Sequence, residues 1–199
     1  MSMASGNLRV QTQVSSSRAI AIIGLFSALY IVAAGISSYV TLYGYPEHFI
    51  RGILMTAVVL RTGKKWSATM MGVVSGIIFQ LVVTSPAPYL LASTIVSGLV
   101  FDLVLMAGSS YTAAVRSSPR VITGAAISGL AESIVALAIL TFAGFFSRSF
   151  VALSVAWSTD IVLNIALSAV GALIAIRFLS KKHPAGISQQ SAAGGGAPP

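Results

Sequence analysis

Long apolar runs dominate the chain between Arg18 and Leu179, and no water-facing fold accommodates them. A helix that crosses the hydrocarbon core of a bilayer needs about 20 mostly apolar residues. Six stretches meet or approach that length: residues 18–40, 46–60, 66–83, 89–108, 120–143 and 150–179. Charged residues make up only 8% of the sequence, against about 25% in a soluble domain, too few to cover a wet surface. The mean hydropathy of +0.91 agrees. The sequence therefore predicts an all-α integral membrane protein, a compact bundle of six transmembrane helices.

The second stretch is short for a span, and Pro46 suits its first turn, where a missing N–H does no harm. Residues 84–89, TSPAPY, read as a turn between the third and fourth spans. Six spans place both termini on one side of the membrane. Lys and Arg concentrate in cytoplasmic segments. With the termini inside, Arg9, Arg18, Arg61, Lys64, Lys65, Arg116, Arg120, Arg177, Lys181 and Lys182 all fall inside, ten of the twelve basic residues. Only Arg51 and Arg148 fall elsewhere. This accounts for the net charge of +8 through topology and attraction to anionic lipid, and nucleic acid is not needed. The expected organisation is a cytoplasmic segment over 1–17, a membrane domain over 18–179 and a disordered cytoplasmic tail over 180–199. The run from Ala19 is too long for a cleaved signal peptide and ends in no clear cleavage site. The expected location is the cell membrane, as a multi-pass protein of a prokaryotic plasma membrane.

The four acids carry most of the functional information. Asp102, Glu132 and Asp160 lie inside spans, and Glu47 lies at the outer mouth of the second. A carboxylate deep in a bilayer costs roughly 3 kcal/mol on insertion scales. Helical periodicity groups each with small or polar neighbours. On the fifth span Ala125, Ser128, Gly129, Glu132, Ser133 and Ala136 share a face. Trp157, Asp160, Asn164, Ser168 and Gly171 share one on the sixth, and Thr94, Gly98 and Asp102 share one on the fourth. Gly72, Gly76 and Gln80 align on the third. Small residues let helices approach closely, so these faces turn away from lipid.

Depth points to an outward-opening pocket. At a rise of about 1.5 Å per residue, Glu132 lies roughly 18 Å from the inner end of its helix. Asp160, Trp157, Glu47, His48 and Gln80 are also in the outer half. Tyr39, Tyr43, Tyr45, Phe49, Tyr89, Phe145, Phe146 and Phe150 crowd that side, as an aromatic belt or as pocket walls. Glu132 is either a ligand's counter-charge or a structural group held by serines or by Arg51. Asp102, about 9 Å from the inner end, is a second candidate partner for Arg51. With Arg51 the only evident cation among these acids, a cationic or amine-bearing aromatic ligand fits better than an anionic one. Trp157 adds a face for cation–π attraction.

No enzyme is expected, since the chain has no Ser/His/Asp or Cys/His constellation. It has no cysteine, and its two histidines, His48 and His183, are isolated, so neither a metal site nor another cofactor is predicted. Residues 61–66, RTGKKW, lack the phosphate-binding frame: Val58 stands where the first glycine belongs and Lys65 where the Ser or Thr belongs. Uphill transport would need power from a partner.

The run AIIGLFSALYIVAAGI, then HFIRGILMTAVVLRTGKKW, MGVVSGIIFQLVV and STIVSGLVFDLVLMAG follow one another in order. In this order the chain resembles the substrate-binding S component of an energy-coupling factor transporter, in the branch that imports thiamine or its hydroxymethylpyrimidine precursor. The resemblance covers roughly residues 18–179. It implies a six-helix bundle with an outward-facing vitamin site, and a complex with a transmembrane coupling subunit and two ATP-binding subunits. It also implies a docking face on the first helix, where this chain carries Gly24-x-x-x-Ala28 in place of Ala-x-x-x-Ala. The substrate-binding candidates are Glu132, Trp157, Asp160, Asn164, Gln80, Glu47 and His48. Two rival classes are a small acidic-lined cation channel and a ligand-free membrane scaffold. A channel would need polar residues through the inner third, which is largely Ile, Val and Ala in the fifth and sixth spans.

Overall fold

The computed structural model describes residues 14–40, 45–82, 88–108, 110–144 and 150–180. The terminal segments, the turn at 84–87, and Tyr43, Phe145, Phe146 and Arg148 lie outside them, as do the side chains of Tyr39 and Tyr45. Seven helices are described: α1 (Ser16–Val40), α2 (Tyr45–Thr62), α3 (Ser67–Val82), α4 (Pro88–Met106), α5 (Tyr111–Arg116), α6 (Ser118–Phe142) and α7 (Phe150–Ser180). No strand occurs among the described residues. Four helices are long and apolar enough to cross a membrane, over Ser16–Ser37, Tyr89–Met106, Ser118–Phe142 and Phe150–Leu179. Exposed Leu25, Val32, Ile36, Phe142, Phe150, Val151 and Val162 give these helices an apolar outer surface suited to lipid. The described residues are thus all-helical, with four helices fit by length and composition to cross a membrane.

The two remaining long helices explain themselves by position. α3 is apolar but has 16 residues, about 24 Å of helix. α2 is the most enclosed element. It packs on α1, α3, α5, α6 and α7, and from Met55 to Leu60 every residue is buried. A helix walled in by protein need not be apolar all round, so α2 carries Arg51 and Thr56 buried along its length and Glu47 and His48 half-buried near its start.

Small residues set the spacing between helices. A side-chain carbon at Gly52 would lie 2.5 Å from the Ser168 carbonyl oxygen, and one at Gly171 would strike the Phe49 carbonyl. The backbones of α2 and α7 therefore touch directly. On α3 and α4, Gly72 faces the Thr94 backbone and Gly98 faces that of Ala68. The glycine stripe of the third span and the Thr94/Gly98/Asp102 stripe of the fourth thus meet each other.

The short helix α5 has no counterpart among the six apolar stretches. Its six residues fit between Ser110 and Ser117, and Pro119 opens α6 directly after it. Tyr111 anchors it: its hydroxyl donates to the Lys64 carbonyl at 2.9 Å and lies 3.2 Å from Asp102 Oδ1. Burial first, and then the adjacent Asp102 charge, raise the Tyr111 hydroxyl pKa above its ordinary range, so it remains a donor.

Successive long helices alternate in direction, so each end of the bundle gathers defined termini. Lys64 Nζ meets Ser16 Oγ at 3.0 Å, and the Arg120 guanidinium packs on Gly108. One end therefore holds Arg18, Arg61, Lys64, Lys65, Arg116, Arg120 and Arg177, every described Lys and Arg except Arg51.

Candidate functional site

Away from that end lie the polar residues singled out in the sequence, Asp102 excepted. At their centre the Arg51 guanidinium forms an ion pair with Glu132 through Nη1 and Oε1. Its Nη2 donates to Asn164 Oδ1 at 2.7 Å. Asn164 Nδ2 donates to Ser133 Oγ at 3.0 Å and lies 3.4 Å from Glu132 Oε2. Ser168 Oγ donates to Asn164 Oδ1 at 3.1 Å. Arg51 is 1% exposed, Glu132 4% and Asn164 fully buried, so this network is sealed from both lipid and water. It joins α2, α6 and α7, and four of its members, Glu132, Ser133, Asn164 and Ser168, are among those that helical spacing turns inward.

Glu132 is thus the partner of Arg51, one of the two roles open to it from sequence. Asp102 is not that partner. Its Oδ2 accepts the Thr69 backbone N–H and the Thr69 hydroxyl, both at 2.8 Å. Thr69 is the third residue of α3, whose first N–H groups need acceptors. The residue before α3 is Trp66, which has no side-chain acceptor and sits at φ 69°. Asp102 supplies from α4 the cap that the local sequence lacks, where the helix dipole favours a negative charge. Its position within a span is thereby accounted for without a ligand.

A half-buried rim surrounds the sealed network. Tyr30, 3% exposed on α1, donates its hydroxyl to Glu47 Oε1. His48 Nε2 faces Asp160 Oδ1 across 3.9 Å, too far for a hydrogen bond, with the Asp160 side chain 27% exposed. His48 Nδ1 is buried and has no hydrogen-bond partner among the described residues. Trp157 Nε1 donates to Thr141 Oγ1 at 3.3 Å, which fixes the indole between α6 and α7. Gln80 is half-buried on the last turn of α3, at the same end. The structure thus joins Glu132 to Asn164, and His48 to Asp160. It gathers Trp157, Glu47 and Gln80 at the same end of the bundle.

The charge of the assembly follows from these contacts. Glu47 and Asp160 both lie within electrostatic reach of Arg51, and Glu132 pairs with it. This end of the bundle therefore holds three carboxylates and one guanidinium, a formal excess of two negative charges when His48 is neutral. Glu132 is paired with Arg51, while Glu47 meets the Tyr30 hydroxyl and Asp160 faces His48; these two are the more accessible acids. Among the described residues, no group of three or more His, Asp or Glu side chains is arranged to hold a metal ion.

Two contributors carry little signal in the sequence. Tyr30 belongs to an α1 whose small and apolar residues form no marked stripe, and nothing local points it at Glu47. Arg51 reads from sequence as a lone cation, whereas the structure makes it the hub. Its signal is its position: the only described basic residue away from the basic end.

Gly24 and Ala28, expected on a docking face, are both exposed on α1, and a side-chain carbon at Gly24 would meet nothing within 4 Å. Comparison with protein-family models, with curated proteins and with solved structures finds no match.

Proposed function

We propose that this chain is the substrate-binding subunit of an importer of the energy-coupling factor type, and that its solute is a cationic or amine-bearing aromatic vitamin such as thiamine or its hydroxymethylpyrimidine precursor. The observation that carries the reading is the surplus of carboxylate over guanidinium at one end of the bundle. Uncompensated charge within a membrane bundle is expensive and commonly marks a solute pathway. Here the acids outside the pair of Arg51 and Glu132 are half-buried Glu47 and Asp160, beside the His48 imidazole and the Trp157 indole. A carboxylate accepts the N–H donors of an amine or aminopyrimidine, and an indole face attracts a cation by about 0.5–2 kcal/mol.

In this reading α2 and α3 also cross the membrane, giving six spans with cytoplasmic termini, and the acidic end faces outward. The seven cations at the other end fit the positive-inside rule. The exposed Gly24 and Ala28 fit a close-packing surface for a transmembrane coupling subunit, which would link the chain to two ATP-binding subunits. Glu132 and Asn164 serve as the base of the site by holding Arg51, and Glu47, His48, Asp160 and Trp157 meet the solute.

The test is equilibrium titration of the purified chain with thiamine, hydroxymethylpyrimidine and the anionic vitamin biotin. Asp160→Asn and Glu47→Gln should each weaken thiamine or pyrimidine binding by about 1.5–3 kcal/mol, the range for a charge-assisted hydrogen bond. Tight biotin binding, or unchanged affinity in both variants, would overturn the assignment.

A further inference from the structure

The basic end carries a feature that vitamin binding does not use. A cavity of about 360 Å³ opens there, with Lys65, Gly108, Ser110, Tyr111 and Thr112 among its walls. Lys65 is exposed at its edge, and the Arg120 guanidinium packs directly on Gly108. The hydroxyls of Ser110 and Thr112 lie 2.8 Å apart on the same wall, both exposed. The nearest acid, Asp102, is fully buried and occupied by Thr69 and Tyr111.

The loop that presents Lys65 is held in an unusual shape. Gly63 has φ 60° and Trp66 φ 69°, and a bulky residue in that region is strained by about 1–3 kcal/mol. Surrounding bonds fix it: Tyr111 and Ser67 both donate to the Lys64 carbonyl at 2.9 Å. The result is a Lys65 that lines the cavity and, next to it in the chain, a Trp66 that is 44% exposed. Lys64 is turned away to Ser16.

We propose that this cavity binds a phosphate group, with Lys65 and Arg120 balancing its charge and the bonded pair of Ser110 and Thr112 hydroxyls donating to its oxygens. A bilayer offers that chemistry as the headgroup of an anionic lipid, and the aqueous phase offers it as free phosphate. Two cations and a mutually bonded pair of hydroxyls, one of them free to donate, suit an anionic headgroup, and the exposed Trp66 follows Lys65 in the chain as a rest for its glycerol and upper chain. The site is independent of the identity of the vitamin.

The experiment uses the full chain carrying Trp157→Phe, so that Trp66 is its sole tryptophan. It is reconstituted in phosphatidylcholine vesicles containing either brominated phosphatidylglycerol or brominated phosphatidylcholine, and bromine quenching of Trp66 is recorded. The phosphatidylglycerol lipid should be enriched at Trp66, and Lys65→Gln and Arg120→Gln should each reduce that enrichment about fivefold, as expected for one cation at an anionic surface. Arg18→Gln, at the same end but on α1, should leave it unchanged. A parallel arm titrates inorganic phosphate against the detergent-solubilised protein. Competition by inorganic phosphate in the vesicles would assign the site to free phosphate, and its absence to lipid headgroups. Equal loss in all three variants would mean diffuse surface attraction, and no enrichment would mean no site; either result overturns the proposal. Lys65 is exposed, so Lys65→Gln tests the site without disturbing the core.

Discussion

Replacing Glu132 with glutamine keeps the shape of the side chain and deletes the charge that faces Arg51. The guanidinium would then stay buried at 1% exposure, with the Asn164 Oδ1 bond as its strongest remaining contact. Removing one member of a buried ion pair typically costs 3–5 kcal/mol, because a charge is left without compensation. Two features reduce that cost here: Glu47 and Asp160 still act on Arg51, and the amide oxygen of the introduced glutamine still accepts a hydrogen bond. We therefore expect a loss of about 3 kcal/mol, the lower end of that range. Arg51→Gln should cost a similar amount by stranding Glu132. The double variant removes both charges and should cost at least about 2 kcal/mol less than the sum of the singles. The assay is reversible unfolding of the purified protein in mixed micelles, followed by tryptophan fluorescence. Additive single effects, or a Glu132→Gln loss below about 0.5 kcal/mol, the size of an ordinary surface substitution, would refute the pairing. A Glu132→Gln variant that keeps full stability but loses vitamin affinity would instead return Glu132 to direct ligand contact.

Asp102→Asn should destabilise the protein by about 0.5–2 kcal/mol, the range for losing a helix cap, with hydrogen exchange accelerated at the first amides of α3. An unchanged exchange rate at Thr69 would remove the capping role. Cysteines at Thr112 and Ala143, both exposed and at opposite ends, should label oppositely with an impermeant reagent in intact cells, Ala143→Cys alone reacting. Reaction at Thr112→Cys would invert the orientation. Gly24→Leu combined with Ala28→Leu should abolish uptake and spare vitamin binding, since the space beside Gly24 is open. Loss of binding as well would show that this face packs within the chain.

The sequence discloses faces but not partners. On α6, Ala125, Ser128, Gly129, Glu132 and Ser133 are all buried, as their spacing requires. A period of 3.6 residues reports which side of a helix avoids lipid. It does not report which helix lies opposite. For that reason Arg51 can be matched to Asp102 or to Glu132 on equal terms from sequence, although Asp102 is committed to the start of α3. The α7 stripe divides in the same way: Asn164 and Ser168 enter the Arg51 network, while Trp157 turns to Thr141. The ends of the long helices are legible to within two residues, because apolar runs end where charges and prolines begin. The six-residue α5 is not, because so short a helix has no room for a period. Loop geometry escapes altogether: nothing in RTGKKW shows that a tryptophan takes a left-handed backbone.

The enclosure of α2 also fixes an order of events during synthesis. Arg51 emerges from the ribosome long before its partners; Asn164 follows 113 residues later. Until α6 and α7 arrive, Glu47 on the same helix is the one carboxylate of the site already made beside that guanidinium. The surroundings of α2 are therefore completed only by the last helix to be made. A chain cut before α7 should accordingly lose the placement of α2, although every residue of that helix is present.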